Sequence, residues 1–198
     1  MTTQPTTSRI GEVTQASIER LTAQCHALYG APPLGTLVRA GNVYAVVSGV
    51  TTQPLDPTRP VIARGAGAAD EAEIYRENPQ LEQLLRTDVS LTVVAHAEGD
   101  AVRAYLPALP PRIHTFVHVC SPGEVRAVFA APEFLRTLLQ SREPWADDVA
   151  AATLRQAARA HDEPRAFLQR VARVVGVALA GDTARLAAIL RRLPLGTA

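Results

Sequence analysis

IGEVTQASIERLTAQCHALYGAPPLGTLVRAGNVYAVVSGVTT, residues Ile10 to Thr52, decides the fold. Apolar residues recur at period two in Leu21, Ala23 and Cys25, and again around Leu37, while Val43 to Val47 is almost wholly apolar. Alternation of this kind marks half-buried strands, and the continuous run marks a strand covered on both faces. Turn chemistry falls between the runs, at Ala31-Pro32-Pro33, at Leu34-Gly35 and at Gly41-Asn42. Gly and Asn tolerate positive φ, so the last pair predicts a tight hairpin. The expected strands are Ile10–Thr14, Ile18–Cys25, a third that Leu34-Gly35 leads into and that ends at Ala40, and Val43–Thr52.

Three prolines between Gln53 and Pro60 block pairing, so a loop follows. A short edge strand is expected at Val61–Arg64. Asp70 then caps an acidic helix through Glu77, and Asn78-Pro79 restarts it with Leu81, Leu84 and Leu85 on one face. Strands resume at Ser90–Ala97, return at Ala101–Leu106 and end with Ile113–Cys120. Beyond Cys120 the period changes: Ser121-Pro122-Gly123-Glu124 is a capping box. Five helices are expected, Pro122–Ala130, Pro132–Gln140, Asp147–Ala160, Pro164–Leu179 and Thr183–Leu193. The class is α+β: a tail over 1–8, a β-barrel of six or seven strands over 9–120 with a helical insert at 68–86, and a helical bundle over 121–198.

The 198 residues are 47% hydrophobic and 20% charged with a formal net charge of +1, which suits a globular protein with no dominant electrostatic partner. All twenty basic residues are Arg. Without Lys there is no phosphate-binding P-loop and no Schiff-base or pyridoxal-phosphate chemistry. Met1 to Ser8 lacks the basic and apolar regions of a secretory signal, and the longest apolar helix is interrupted by Arg173, so a cytoplasmic location with no membrane contact is expected. Two cysteines, Cys25 and Cys120, read as buried small hydrophobes.

Ile10-Gly11-Glu12-Val13, Pro32-Pro33-Leu34-Gly35-Thr36-Leu37-Val38 and Tyr44-Ala45-Val46-Val47 together resemble the HAS barrel, shared by the N-termini of HerA-type DNA-translocating ATPases and of ATP synthase subunits. Ile74 to Leu81 and Pro110 to His114 are similar to segments of stand-alone HAS-barrel proteins of bacteria. The chain departs from the ATPases in having no P-loop, with helices where the ATPase domain would stand. The resemblance therefore implies a non-enzymatic interaction or oligomerisation module, partnered by itself or by a HerA-type ATPase or NurA-type nuclease in a DNA-processing assembly. No cofactor is expected.

Several constellations carry candidate chemistry. Tyr75, Arg76, Glu77 and Asn78, with Arg112 and His114, are dense polar sets beside Pro-restrained backbone and are the candidate partner surface. His114, His118 and Cys120, with Cys25 and His26 from a neighbouring strand, offer nitrogen and sulfur donors for a metal protein or enzyme. Strand neighbours two residues apart are about 6–7 Å apart, which argues against a closed zinc site. Gly65-Ala66-Gly67 lacks the third glycine of a phosphate loop and reads as a connector. Charge is uneven: Val61 to Asp100 holds three Arg against eight carboxylates, while the chain from Pro144 onward holds eight Arg against five. Arg155, Arg159, Arg170, Arg173, Arg191 and Arg192 are accordingly the candidates for a nucleic-acid-binding alternative. Head-to-tail self-association of acidic insert against basic helices explains the same asymmetry.

Overall fold

A computed structural model describes residues 8–141 and 143–194. Among them are strands β1 (Arg9–Ala16), β2 (Arg20–Cys25), β3 (Leu37–Ala40), β4 (Val43–Pro54), β5 (Leu85–Glu98), β6 (Ala101–Arg103) and β7 (Phe116–Val119). The helices are α1 (Glu71–Glu77), α2 (Leu81–Leu84), α3 (Pro122–Val128), α4 (Phe134–Leu139), α5 (Ala146–Ala158), α6 (Pro164–Ala178) and α7 (Thr183–Arg191). Of the expected tail, residues 1–7 lie outside the described set. Ser8 already belongs to the fold, its carbonyl accepting a bond from the Val119 amide at 3.0 Å.

All strand pairs are antiparallel, in the order β2-β1-β7-β3-β4-β5-β6, and β2 also pairs with β5. Six strands thus form a barrel-like ring, and β6 extends from it. Two tight turns sharpen the ring. Gly41 and Gly99 stand at the first position of two-residue hairpin loops with φ of 61° and 59°, the left-handed backbone that Gly adopts without strain.

Alternation sorts the side chains into two cores. Val13, Leu21, Ala23, Cys25, Val38, Val43, Ala45, Val47, Val89, Leu91, Val93 and Val117 fill the ring interior. Leu37, Tyr44, Val46, Val94 and Cys120 belong instead to a second cluster shared with the helices. The run Val43–Val47 is therefore buried on both faces, as its composition requires.

The helices pack chiefly against β3, β4, β5 and β6. Phe129 anchors this layer, edge-on to Phe134 at 5.0 Å and to Phe167 at 5.2 Å. The small residues Ala150, Ala151 and Ala152 bring α5 close to the sheet. A Cβ on Gly35, whose φ is 81°, would lie 2.4 Å from the Ala152 carbonyl carbon, so only glycine fits that turn. Arg185 ties α7 to α5, with its Nη2 2.6 Å from Asp147 Oδ1, and it also donates to the Leu139 carbonyl at 2.6 Å.

Several expected boundaries move. Val61–Arg64 is not a strand; it is exposed between Pro60 and Gly65 with no neighbour to pair with. β5 starts at Leu85 rather than Ser90, because Leu85–Ser90 pairs with Gly49–Pro54, which also extends β4 beyond Thr52. The second insert helix shrinks to one turn, and Asn78 closes α1 instead of capping α2. β3 starts at Leu37 because Gly35 turns there, and β7 starts only at Phe116 because His114 is left-handed. β6 ends at Arg103 rather than Leu106. The capping box at Ser121 and the cap at Asp70 form as expected. Asp182 caps α7, and Asp147 pairs with Arg185 inside the first turn of α5. Among the described residues no helix is long and apolar enough to cross a membrane.

Candidate functional site

Side chains that alternation turns outward on β1 and β7 stand on one wall of the ring. Glu12 on β1 pairs in register with Gln24 of β2 and Phe116 of β7, so three strands converge on it. Its Oε1 lies 3.3 Å from His26 Nε2, just beyond the end of β2, and its Oε2 lies 2.9 Å from His114 Nδ1 in the turn before β7. One carboxylate thus bridges two imidazoles. The His114 and His26 hydrogen bonds, in that order, hold the Glu12 carboxyl below its ordinary acidity range.

His114 has φ of 67°, uncommon for a residue with a Cβ. Its amide donates to Val13 O at 2.8 Å and the Thr115 amide donates to Arg112 O at 3.1 Å, so the strained turn is held by the backbone as well as by Glu12. Beside the cluster Phe116 is 46% exposed. The Arg9 guanidinium sits 4.5 Å above its ring, and His26 meets it edge-on at 6.3 Å. His118, next outward on β7, keeps a buried Nδ1 with no hydrogen-bond partner among the described residues.

The candidate partner surface divides into two parts. On α1 the Tyr75 hydroxyl bonds the Tyr29 hydroxyl, the rings meet edge-on at 6.3 Å, and that bond raises the Tyr75 phenol above its ordinary range. Asn78 donates from Nδ2 to Ile74 O at 2.9 Å and accepts from Arg64 at 3.2 Å, while Arg76 and Glu77 are exposed. His114, with Arg112 two residues before it, lies at the ring wall instead. No hydrogen bond or aromatic contact joins the two parts among the described residues.

Nor do His114, His118 and Cys120 converge. The left-handed turn takes His114 out of the strand period and toward Glu12. Cys120 lies in the core shared with the helices and Cys25 lies in the ring interior. Burial first, then the Glu124 charge, pushes the Cys120 thiol up; burial first, then Asp88, does the same to Cys25. Among the described residues no group of three or more His, Cys, Asp and Glu is arranged to hold a metal ion. Among the described residues no Ser, Thr or Cys side chain bonds to Glu12, His26 or His114.

The six candidate arginines are engaged in different ways. Arg155 donates to the Arg192 carbonyl at 2.9 Å, Arg192 pairs with Asp148 at 2.7 Å, and Arg170 leans over Phe167 at 5.6 Å. Arg159, Arg173 and Arg191 are exposed. Sequence reasoning passed over Glu12, Arg9 and Tyr29 as site residues. A carboxylate in the middle of a strand that otherwise alternates was the one available signal for Glu12. Compared with protein-family models and with curated proteins, the chain has no match among either.

Proposed function

We propose that the chain is a non-enzymatic interaction module that docks on another protein through the β1–β7 wall of its ring. One observation carries this reading: Phe116, an exposed aromatic clamped under Arg9, stands on the β1–β7 wall and is rimmed by the Glu12–His26–His114 cluster. An aromatic and an arginine inside a polar rim form the composition that concentrates binding energy at protein interfaces. The ring is read as HAS-barrel-like and the helical layer as a C-terminal bundle, so a HerA-type ATPase or a NurA-type nuclease is the proposed partner, in a DNA-processing assembly.

Capture of the purified ATPase and nuclease from the same cells on the immobilised chain tests this. One of the two is expected to bind, with Phe116→Ala weakening it at least tenfold. Because Phe116 is only half-buried, that variant gives up about 1 kcal/mol of stability and stays folded. Binding of neither protein removes the partner assignment. Equal binding by wild type and Phe116→Ala removes the ring wall as the docking surface.

A further inference from the structure

A cleft of about 360 Å³ opens where the ring meets the joint between α4 and α5, within the roughly 300–1,000 Å³ of small-molecule sites. The strand faces that line it change character there. On β5 the face that carries Val94 into the second core continues as Thr92 and Ser90, and on β4 the face of Tyr44 and Val46 continues as Ser48. Hydroxyls thus replace apolar side chains where the cleft begins. A bulge falls at the same place: Val47 pairs with Leu91 and Gly49 with Ser90, so Ser48 is the extra residue on β4.

The helical side contributes Trp145 at the start of α5, 51% exposed and the one tryptophan of the chain. Arg20, the first residue of β2, links the ring to the same joint through Nη2, 2.6 Å from Glu143 Oε1. Each charge cancels the other, yet Arg20 Nε and Nη1 and Glu143 Oε2 keep free hydrogen-bonding capacity among the described residues. The Thr51, Ser90 and Thr92 hydroxyls make no hydrogen bond there either, and Ser48, which donates to Ser90 O at 3.2 Å, can still accept. A second concavity of about 350 Å³ shares Arg20, Ser48 and Ser90 with the first.

We propose that this cleft binds a neutral saccharide, with one ring on Trp145 and room for a second beyond Arg20. An apolar ligand would leave the donors and acceptors unpaired. A phosphate would meet an arginine already neutralised by Glu143. A nucleobase would find no Asn, Gln or Asp among the described residues lining the main cleft to read its edge. A pyranose satisfies both halves of the lining: its hydroxyls exchange bonds with Ser, Thr, Arg and Glu, and its C–H face lies on the electron-rich face of the indole. None of these residues belongs to the Phe116 wall, so this site and docking at the wall stand or fall separately.

Because Trp145 is the one tryptophan, its fluorescence reads the site directly. Titration of the full chain with maltose, cellobiose and N,N′-diacetylchitobiose into the tens of millimolar is expected to give, for at least one of them, a saturable change in emission and protection from acrylamide quenching. Ser90→Ala and Thr92→Val should each weaken that sugar about fivefold, the worth of one hydrogen bond, with wild-type far-UV circular dichroism. Ser90 is exposed and valine suits a strand, so both variants keep the fold. No saturable change with any of the three sugars overturns the proposal, as does equal affinity in the wild type and both variants. Adenosine monophosphate binding more tightly than every sugar by calorimetry overturns it as well.

Discussion

Gly35→Ala is expected to be the most destabilising alanine substitution among the turn glycines, and Gly41→Ala is its built-in comparison. Both residues are left-handed, with φ of 81° and 61°, so both variants incur the steric cost of that conformation, about 1–2 kcal/mol. Their surroundings differ. At Gly41 the added carbon meets nothing closer than Thr115 Cγ2 at 3.6 Å, an ordinary contact. At Gly35 it would lie 2.4 Å from both the Ala152 carbonyl carbon and the Thr153 amide nitrogen, which are backbone of α5 and cannot rotate away. The helix has to shift, at the roughly 1–3 kcal/mol typical of overpacking. Gly35→Ala should therefore cost about 2–5 kcal/mol in all. Urea unfolding followed by circular dichroism measures both variants. For a chain of this size each kcal/mol moves the melting temperature by roughly 2–4 °C, so the gap should also appear on heating. Equal losses in the two variants, within about 0.5 kcal/mol, would falsify the close approach of the Leu34-Gly35 turn to α5.

Glu12 links the ring wall to pH. Because its folded carboxyl titrates below the unfolded value of 4.5, its contribution is complete above that pH and is lost as pH falls through the lower folded value. Stability of the wild type should thus fall more steeply below pH 4.5 than that of Glu12→Gln, and parallel acid profiles would refute the bridging geometry. Both thiols are buried and shifted upward, so 5,5′-dithiobis(2-nitrobenzoic acid) at pH 8 should label neither Cys25 nor Cys120 until denaturant is added. Rapid labelling of the native chain would place at least one of them at the surface.

The ring was legible wherever one local rule sufficed. Period two at Leu21, Ala23 and Cys25 placed the inward face correctly, and Gly41-Asn42 and Ser121 to Glu124 declared a turn and a cap by composition alone. Errors arose where a distant partner decided. Leu85 to Thr87 continues a helical face in sequence, yet it is a strand because the tail of β4 offers it a ladder. His114 looked like a member of the β7 face, but a left-handed turn, invisible in the residue type, aims it at Glu12 instead. For the candidate site, residue types identified His114 and the insert. The convergence of Glu12, His26 and Phe116 depends on the β2-β1-β7 order, which no local pattern encodes.

That strand order also sets which ring strands the helices reach. Placing the helices over β3 to β6 buries the doubly apolar strand β4 and gives α5 its close seat at Gly35. The second core takes no residue of β1, β2 or β7, so the carboxylate and histidines there have no part in it.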